Sequence, residues 1–195
     1  MIFDIKVMEI DIIQPSNKIH PHKFTLCVGI GSIVMMFAGL TSAYIVKRNQ
    51  ANWQTFDIPV FFWYSTIVIL LSSISVQLSV NAFKKRQMDK YARLMTITLL
   101  LGVLFIVTQC IAFRDFWNAG MTLQANVSFS FLYVIVGLHA LHVIGGVIAL
   151  TVMTLKAFST TRKNDNVVPV EVISTYWHFV DMLWIYLLVF LWMIK

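Results

Sequence analysis

Five stretches of the chain, roughly residues 24–46, 58–82, 94–113, 127–155 and 172–194, contain no Lys, Arg or Glu. A bilayer core of about 30 Å is crossed by about 20 apolar residues in helical form, so every stretch is long enough to span it. The fold class that follows is all-α: a polytopic integral membrane protein, a bundle of five transmembrane helices. Composition agrees, because 58% of the 195 residues are hydrophobic, 12% are charged and the mean hydropathy is +0.77. A soluble domain carries about a quarter charged residues, which excludes a soluble enzyme. The net charge of +6 comes with no basic run interleaved with aromatics, so nucleic acid is not an expected partner. Residues 1–23 form an N-terminal segment and residues 24–195 a single membrane domain without internal repeat. Asp4, Glu9 and Asp11 interrupt any apolar core near the start, unlike a cleaved signal peptide.

The short connections allow orientation to be read from their basic residues. One side has eleven: Lys6, Lys18, Lys23, Lys84, Lys85, Arg86, Lys90, Arg93, Lys156, Arg162 and Lys163. The other has four, Lys47, Arg48, Arg114 and Lys195. This split predicts a cytoplasmic N-terminus and a periplasmic C-terminus. Trp53, Trp63, Trp117, Tyr176, Trp177 and Trp192 stand near span ends, where interfacial anchors sit. Cys27 and Cys110 fall near opposite membrane faces, too far apart to pair.

Titratable groups other than thiols and phenols occur only in the last two spans: His139, His142, His178 and Asp181. Groups of this kind are costly at membrane depth and normally face a protein interior. His139 and His142 are three residues apart, as are His178 and Asp181, so each pair projects from one helix face. Packing the fourth and fifth spans as antiparallel neighbours puts Asp181 level with residue 143 and His178 level with Gly146. A buried His142–Asp181 hydrogen bond is therefore expected, with His178 occupying the gap left by Gly145 and Gly146. Gly145 and Ala149 form a small-xxx-small pair that permits close helix approach. Gln77 and Gln109, inside the second and third spans, are expected to bond neighbouring helices.

The three histidines and the aspartate are chemically able to bind a metal, or a haem between two helices. Ligands from only two helices fit that use poorly, and a proton relay lacks titratable groups in the other spans. A structural role, fixing helix register, fits better. The sequence has no Walker loop, dinucleotide fingerprint, HExxH or GxSxG. It reads as a helical membrane subunit of a larger complex without its own active site.

The same residues carry a family likeness. YWHFVDMLWIYLLVF, Tyr176 to Phe190, resembles the Tyr-Trp-His-Phe-Val-Asp signature of subunit III of the haem-copper terminal oxidases, and Glu171 stands five residues before that tyrosine. GLHALHVIGG (Gly137 to Gly146), LGVLFIVTQ (Leu101 to Gln109) and FAGLTSAY (Phe37 to Tyr44) resemble further stretches of the family. The resemblance covers all five spans and implies the five-helix bacterial form of a cytochrome c oxidase subunit III. It implies a non-catalytic chain, without a metal or cofactor of its own, in an enzyme reducing oxygen to water with proton pumping. Haem and copper would lie in the partner subunit I, with subunit II and membrane phospholipids as further partners, in the bacterial inner membrane. The same fold serves quinol oxidases and an accessory protein of nitric oxide reductase, whereas a membrane haem or metal protein using His139, His142 and His178 is an alternative of a different class. Glu171, His139, His142, His178 and Asp181 would form a structural polar cluster. Three positions depart from the family pattern: Ala140 replaces a glycine, Ile33 a membrane-buried glutamate and Ala112 a frequent acidic residue. The family's lipid-holding cleft, formed with two additional spans, is expected to be absent or open.

Overall fold

The computed structural model describes residues 21–49, 60–122, 126–158 and 167–194. Most of the N-terminal segment, Trp53, and Lys6, Lys18, Arg162, Lys163 and Lys195 of the charge count lie outside these residues. Five helices are present: α1 Pro21–Arg48, α2 Val60–Lys84, α3 Met88–Asn118, α4 Val127–Phe158 and α5 Val168–Ile194. All five are long and apolar enough to cross a membrane, and a helix is the form that satisfies every backbone group within one segment in hydrocarbon. Each extends past its apolar stretch into charged or polar flanks, most in α3, which starts at Met88 rather than at residue 94. The flanking charges end the apolar stretch but not the backbone ladder.

Local chemistry sets the ends. Pro21 opens α1, where its missing N–H costs nothing. The side chain of Asn126 accepts the Ser128 N–H at 3.0 Å and caps α4. The turn between α2 and α3 is closed by Gln87 N–H to Ala82 O and Arg86 N–H to Phe83 O, both 3.0 Å. That closure needs a left-handed residue, which here is Arg86 at φ 58°. At the end of α3 the same geometry falls to Gly120, φ 77°, where glycine has no steric penalty.

Helices α2, α3, α4 and α5 pack as a closed ring, each touching its two neighbours, while α1 packs outside the ring against α4 and α5. The α2–α3 contact is the most extensive. Its α2 face carries buried Ser65, Ser72, Ser75 and Ser79, small residues that bring the backbones together. Ser75 donates across it to Leu94 O at 3.2 Å, and Ser72 to Thr98 O at 3.4 Å.

Two indoles from α5 fill the ring. Trp177 donates its Nε1–H to Ser72 at 3.0 Å, and Trp184 donates to Thr66 at 3.0 Å. Trp184 meets Phe62 and Phe105 edge-on at 5.4 and 5.3 Å, within the favourable range for aromatic pairs. Trp177 lies over two glycines. A Cβ at Gly102 would stand 2.8 Å from its ring, and one at Gly146 would stand 2.9 Å away. The expected close approach at Gly145 is therefore displaced by one residue: Gly145 has only the Tyr176 hydroxyl nearby, at 3.9 Å.

Gly102→Ala should destabilise the ring by about 1–3 kcal/mol through overpacking, measured as a lower thermal midpoint in detergent. Combining it with Trp177→Phe should lose less than the two single effects added together, because the smaller ring vacates the space the methyl needs.

Candidate functional site

The polar side chains singled out from the sequence separate into two groups. Glu171, in the first turn of α5, accepts from Lys23 of α1 at 2.8 Å and from Lys84 of α2 at 2.7 Å. It joins two helices that do not otherwise pack together. Below this clamp is a groove of about 320 Å³ between α1, α2 and α5, whose lining includes Lys23, Cys27, Gln77, Lys84, Glu171 and His178. A second groove, about 520 Å³ and lined mainly by apolar residues such as Leu26, Ile30, Ile33 and Val172, lies between α1 and α5. Ile33 contributes only hydrocarbon to it, and Ala112 is wholly buried in α3.

His178 closes the deep end of the first groove. Its Nδ1 is 2.6 Å from Ser73 Oγ and its Nε2 is 3.2 Å from Gln77 Oε1, both on α2. Because Gln77 Oε1 only accepts, Nε2 carries the hydrogen, and in the neutral ring Nδ1 accepts from Ser73. Asp181, one turn along α5, is 2% exposed and neither carboxyl oxygen makes a hydrogen bond. Ser73 nonetheless adjoins that carboxyl closely enough to interact with it.

The expected His142–Asp181 bond is not formed. His142 Nδ1–H donates to Leu138 O of its own helix at 2.7 Å, and the ring meets Phe37 of α1 edge-on at 5.9 Å. Helices α4 and α5 lie at the expected relative depth, since Trp177 reaches Gly146. The difference from expectation is rotational: α5 also packs on α2, and the face that carries His178 turns to α2 rather than α4. His178 therefore does not fill the glycine gap. Trp177 and Tyr176 do, and Tyr176 donates to His142 O at 3.0 Å.

His139 is fully buried, stacked on Trp184 at 5.2 Å and edge-on to Phe105 at 6.2 Å, with neither ring nitrogen hydrogen-bonded. The three histidines thus do not converge, and among the described residues no group of three His, Cys, Asp or Glu is placed to hold a metal. Ser73, His178 and Asp181 have the composition of a hydrolytic triad but not its wiring. The carboxyl adjoins the serine, whereas a triad carboxylate orients the histidine from its other nitrogen; here that nitrogen faces Gln77. Gln109 bonds Ser65 of α2 at 2.9 Å, so both intramembrane glutamines are spent on neighbouring helices. Sequence reasoning missed Ser73, whose only signal is its place one helical turn from Gln77.

Residues 18–194 match the family described as cytochrome c oxidase subunit III. The chain belongs to that family. It is 30% identical over 182 residues to the cytochrome c oxidase subunit 3 of Corynebacterium diphtheriae, covering 86% of this chain and 88% of that one. To the probable cytochrome c oxidase subunit 3 of Mycobacterium tuberculosis it is 29% identical, over 92% of this chain and 94% of the other. A probable quinol oxidase subunit 3 of Staphylococcus saprophyticus is 25% identical over 93% and 92% of the two chains. In this subunit III chain, the Tyr-Trp-His segment assigns successive residues to different helices. Tyr176 bonds α4, Trp177 bonds α2 while covering glycines of α3 and α4, and His178 bonds α2.

Exposed or half-exposed ion pairs contribute about 0–1 kcal/mol each and are screened by salt. Glu171→Gln should therefore lower the thermal midpoint slightly at low ionic strength and leave it nearly unchanged at high salt, in paired melting curves.

Proposed function

We propose that the chain is the non-catalytic subunit III of a bacterial cytochrome c oxidase that reduces oxygen to water with proton pumping. It supports assembly and stability by packing against subunit I, with subunit II as the further core partner. Haem and copper belong to those partners. What carries this reading is the use of the Tyr176–His178 signature for helix packing in a chain that matches the family almost end to end. Large apolar side chains exposed on all five helices, among them Met35, Leu70, Leu100, Leu141 and Met182, suit burial by partner subunits and phospholipid chains. The charge split supports a cytoplasmic N-terminus and a periplasmic C-terminus in the inner membrane. The quinol oxidase named among the relatives supports one second reading, the same role beside a quinol-oxidising core.

Purification through a tag on this chain in mild detergent should bring down a haem-copper catalytic subunit, identified by mass spectrometry. Its absence would overturn the assignment. A reporter fused after Lys195 should be active only in the periplasm, and one placed between Lys84 and Arg93 only in the cytoplasm. Tyr176→Phe removes one interhelical hydrogen bond, worth roughly 0.6 kcal/mol within a membrane. The subunit should then dissociate more readily in detergent while initial turnover per haem stays unchanged. Lost turnover in complexes that retain the variant would make the subunit catalytic.

A further inference from the structure

Among the buried polar groups without a hydrogen bond, one is a carboxyl. Asp181 is a carboxyl buried at membrane depth without a hydrogen bond, on a helix whose other polar side chains mostly have partners. A bare carboxylate there is expensive, and by default such a residue marks a functional site. Its surroundings are continuous on one side only. Ser73 adjoins the carboxyl, Ser73 is bonded to His178, and His178 with Gln77 lines the groove that reaches the Lys23–Glu171–Lys84 clamp. Toward the opposite end, α5 presents buried Trp184, Leu187, Leu188 and Leu191, and on α2 the fully buried Ile69 separates Ser72 and Ser73 from Ser65 and Thr66.

We propose that this groove is a one-sided proton port: His178 exchanges protons with water in the groove, and Ser73 passes them between His178 and Asp181. Asp181 is then a buried proton-binding site open only to the membrane face that carries Lys23 and Lys84. The transfer balances. The Asp181 O–H gives its proton to Ser73 Oγ while the Ser73 hydroxyl proton moves to the bare Nδ1 of His178. The products are a carboxylate, an unchanged serine and an imidazolium, which releases its Nε2 proton to groove water. The return path reverses each step.

The titratable groups on the helices packed against α5 do not compete for this proton. Lys23 and Cys27 of α1 and Lys84 of α2 line the outer part of the groove, and both lysines are engaged by Glu171. On α4, His142 is bonded to Leu138 O and His139 is stacked on Trp184. The proposal is independent of the electron donor and of which partner subunits surround the chain.

The test is infrared spectroscopy on the full-length protein in the assembly with which it co-purifies. The difference between wild type and Asp181→Asn should contain one protonated-carboxyl C=O band at neutral or acid pH. On transfer to heavy water the band should shift within the mixing time. Ser73→Ala and His178→Ala should each slow that shift about a hundredfold, the scale on which a positioned proton carrier acts, and Ser73→Thr should restore it. Variants are compared only where thermal melts show an unaltered fold. An Asp181 band that exchanges equally fast in Ser73→Ala and His178→Ala would overturn the proposal. So would a carboxyl that exchanges at no measurable rate in wild type, or one whose band never appears from acid to alkaline pH.

Discussion

Trp177 is the contact on which the ring of helices depends. Inside a bilayer, hydrocarbon tails are as apolar as leucine, so burying leucine against leucine gives little net gain. Helices associate there through close shape and through polar groups with nowhere else to go. Trp177 uses both: its ring lies on the bare backbones at Gly102 and Gly146, and its N–H is committed to Ser72. One side chain from α5 thereby sets the spacing of α3 and α4 and the rotation of α2. Trp184, two turns further along α5, repeats the pattern with Thr66, Phe62 and Phe105.

The spans were legible because twenty-residue apolar stretches have no other solution in a protein this poor in charge. Their ends were less so. At Met88 the helix starts well before the apolar run, since backbone bonding continues through a charged headgroup layer. Depth was also legible: an antiparallel α4–α5 pair must bring residues near 146 and 177 level, and it does. Rotation was not, because α5 contacts three helices and a periodic pattern cannot say which face meets which neighbour. That is why the polar cluster of His139, His142, His178, Asp181 and Glu171 dissolved into separate environments. Nor does the sequence place α1 outside the ring, or single out Ser73 from the other serines of α2.

The family signature gains a physical meaning from this arrangement. Consecutive positions on a helix point in directions about 100° apart, so Tyr176, Trp177 and His178 reach different partners in a single turn of α5. Tyr176 finds a carbonyl on α4, Trp177 the serine and glycines at the centre, His178 a hydroxyl and an amide on α2. Replacing any one of them would loosen a different neighbour. A signature of this kind resembles a catalytic motif in sequence while tying three helices together in structure.

The peripheral position of α1 has a consequence for biosynthesis. Among the described helices it comes first in chain order, yet of these it packs on α4 and α5, the last two. During insertion it must wait unpartnered among lipids or translocation machinery while α2 and α3 pair next to it. Only after α5 arrives can its Thr41 meet the Tyr186 hydroxyl at 3.0 Å and its Lys23 reach Glu171. Assembly of the described helices therefore closes by recapturing α1, and a ribosome stalled before α4 would leave α1 detached from an otherwise paired α2–α3 hairpin.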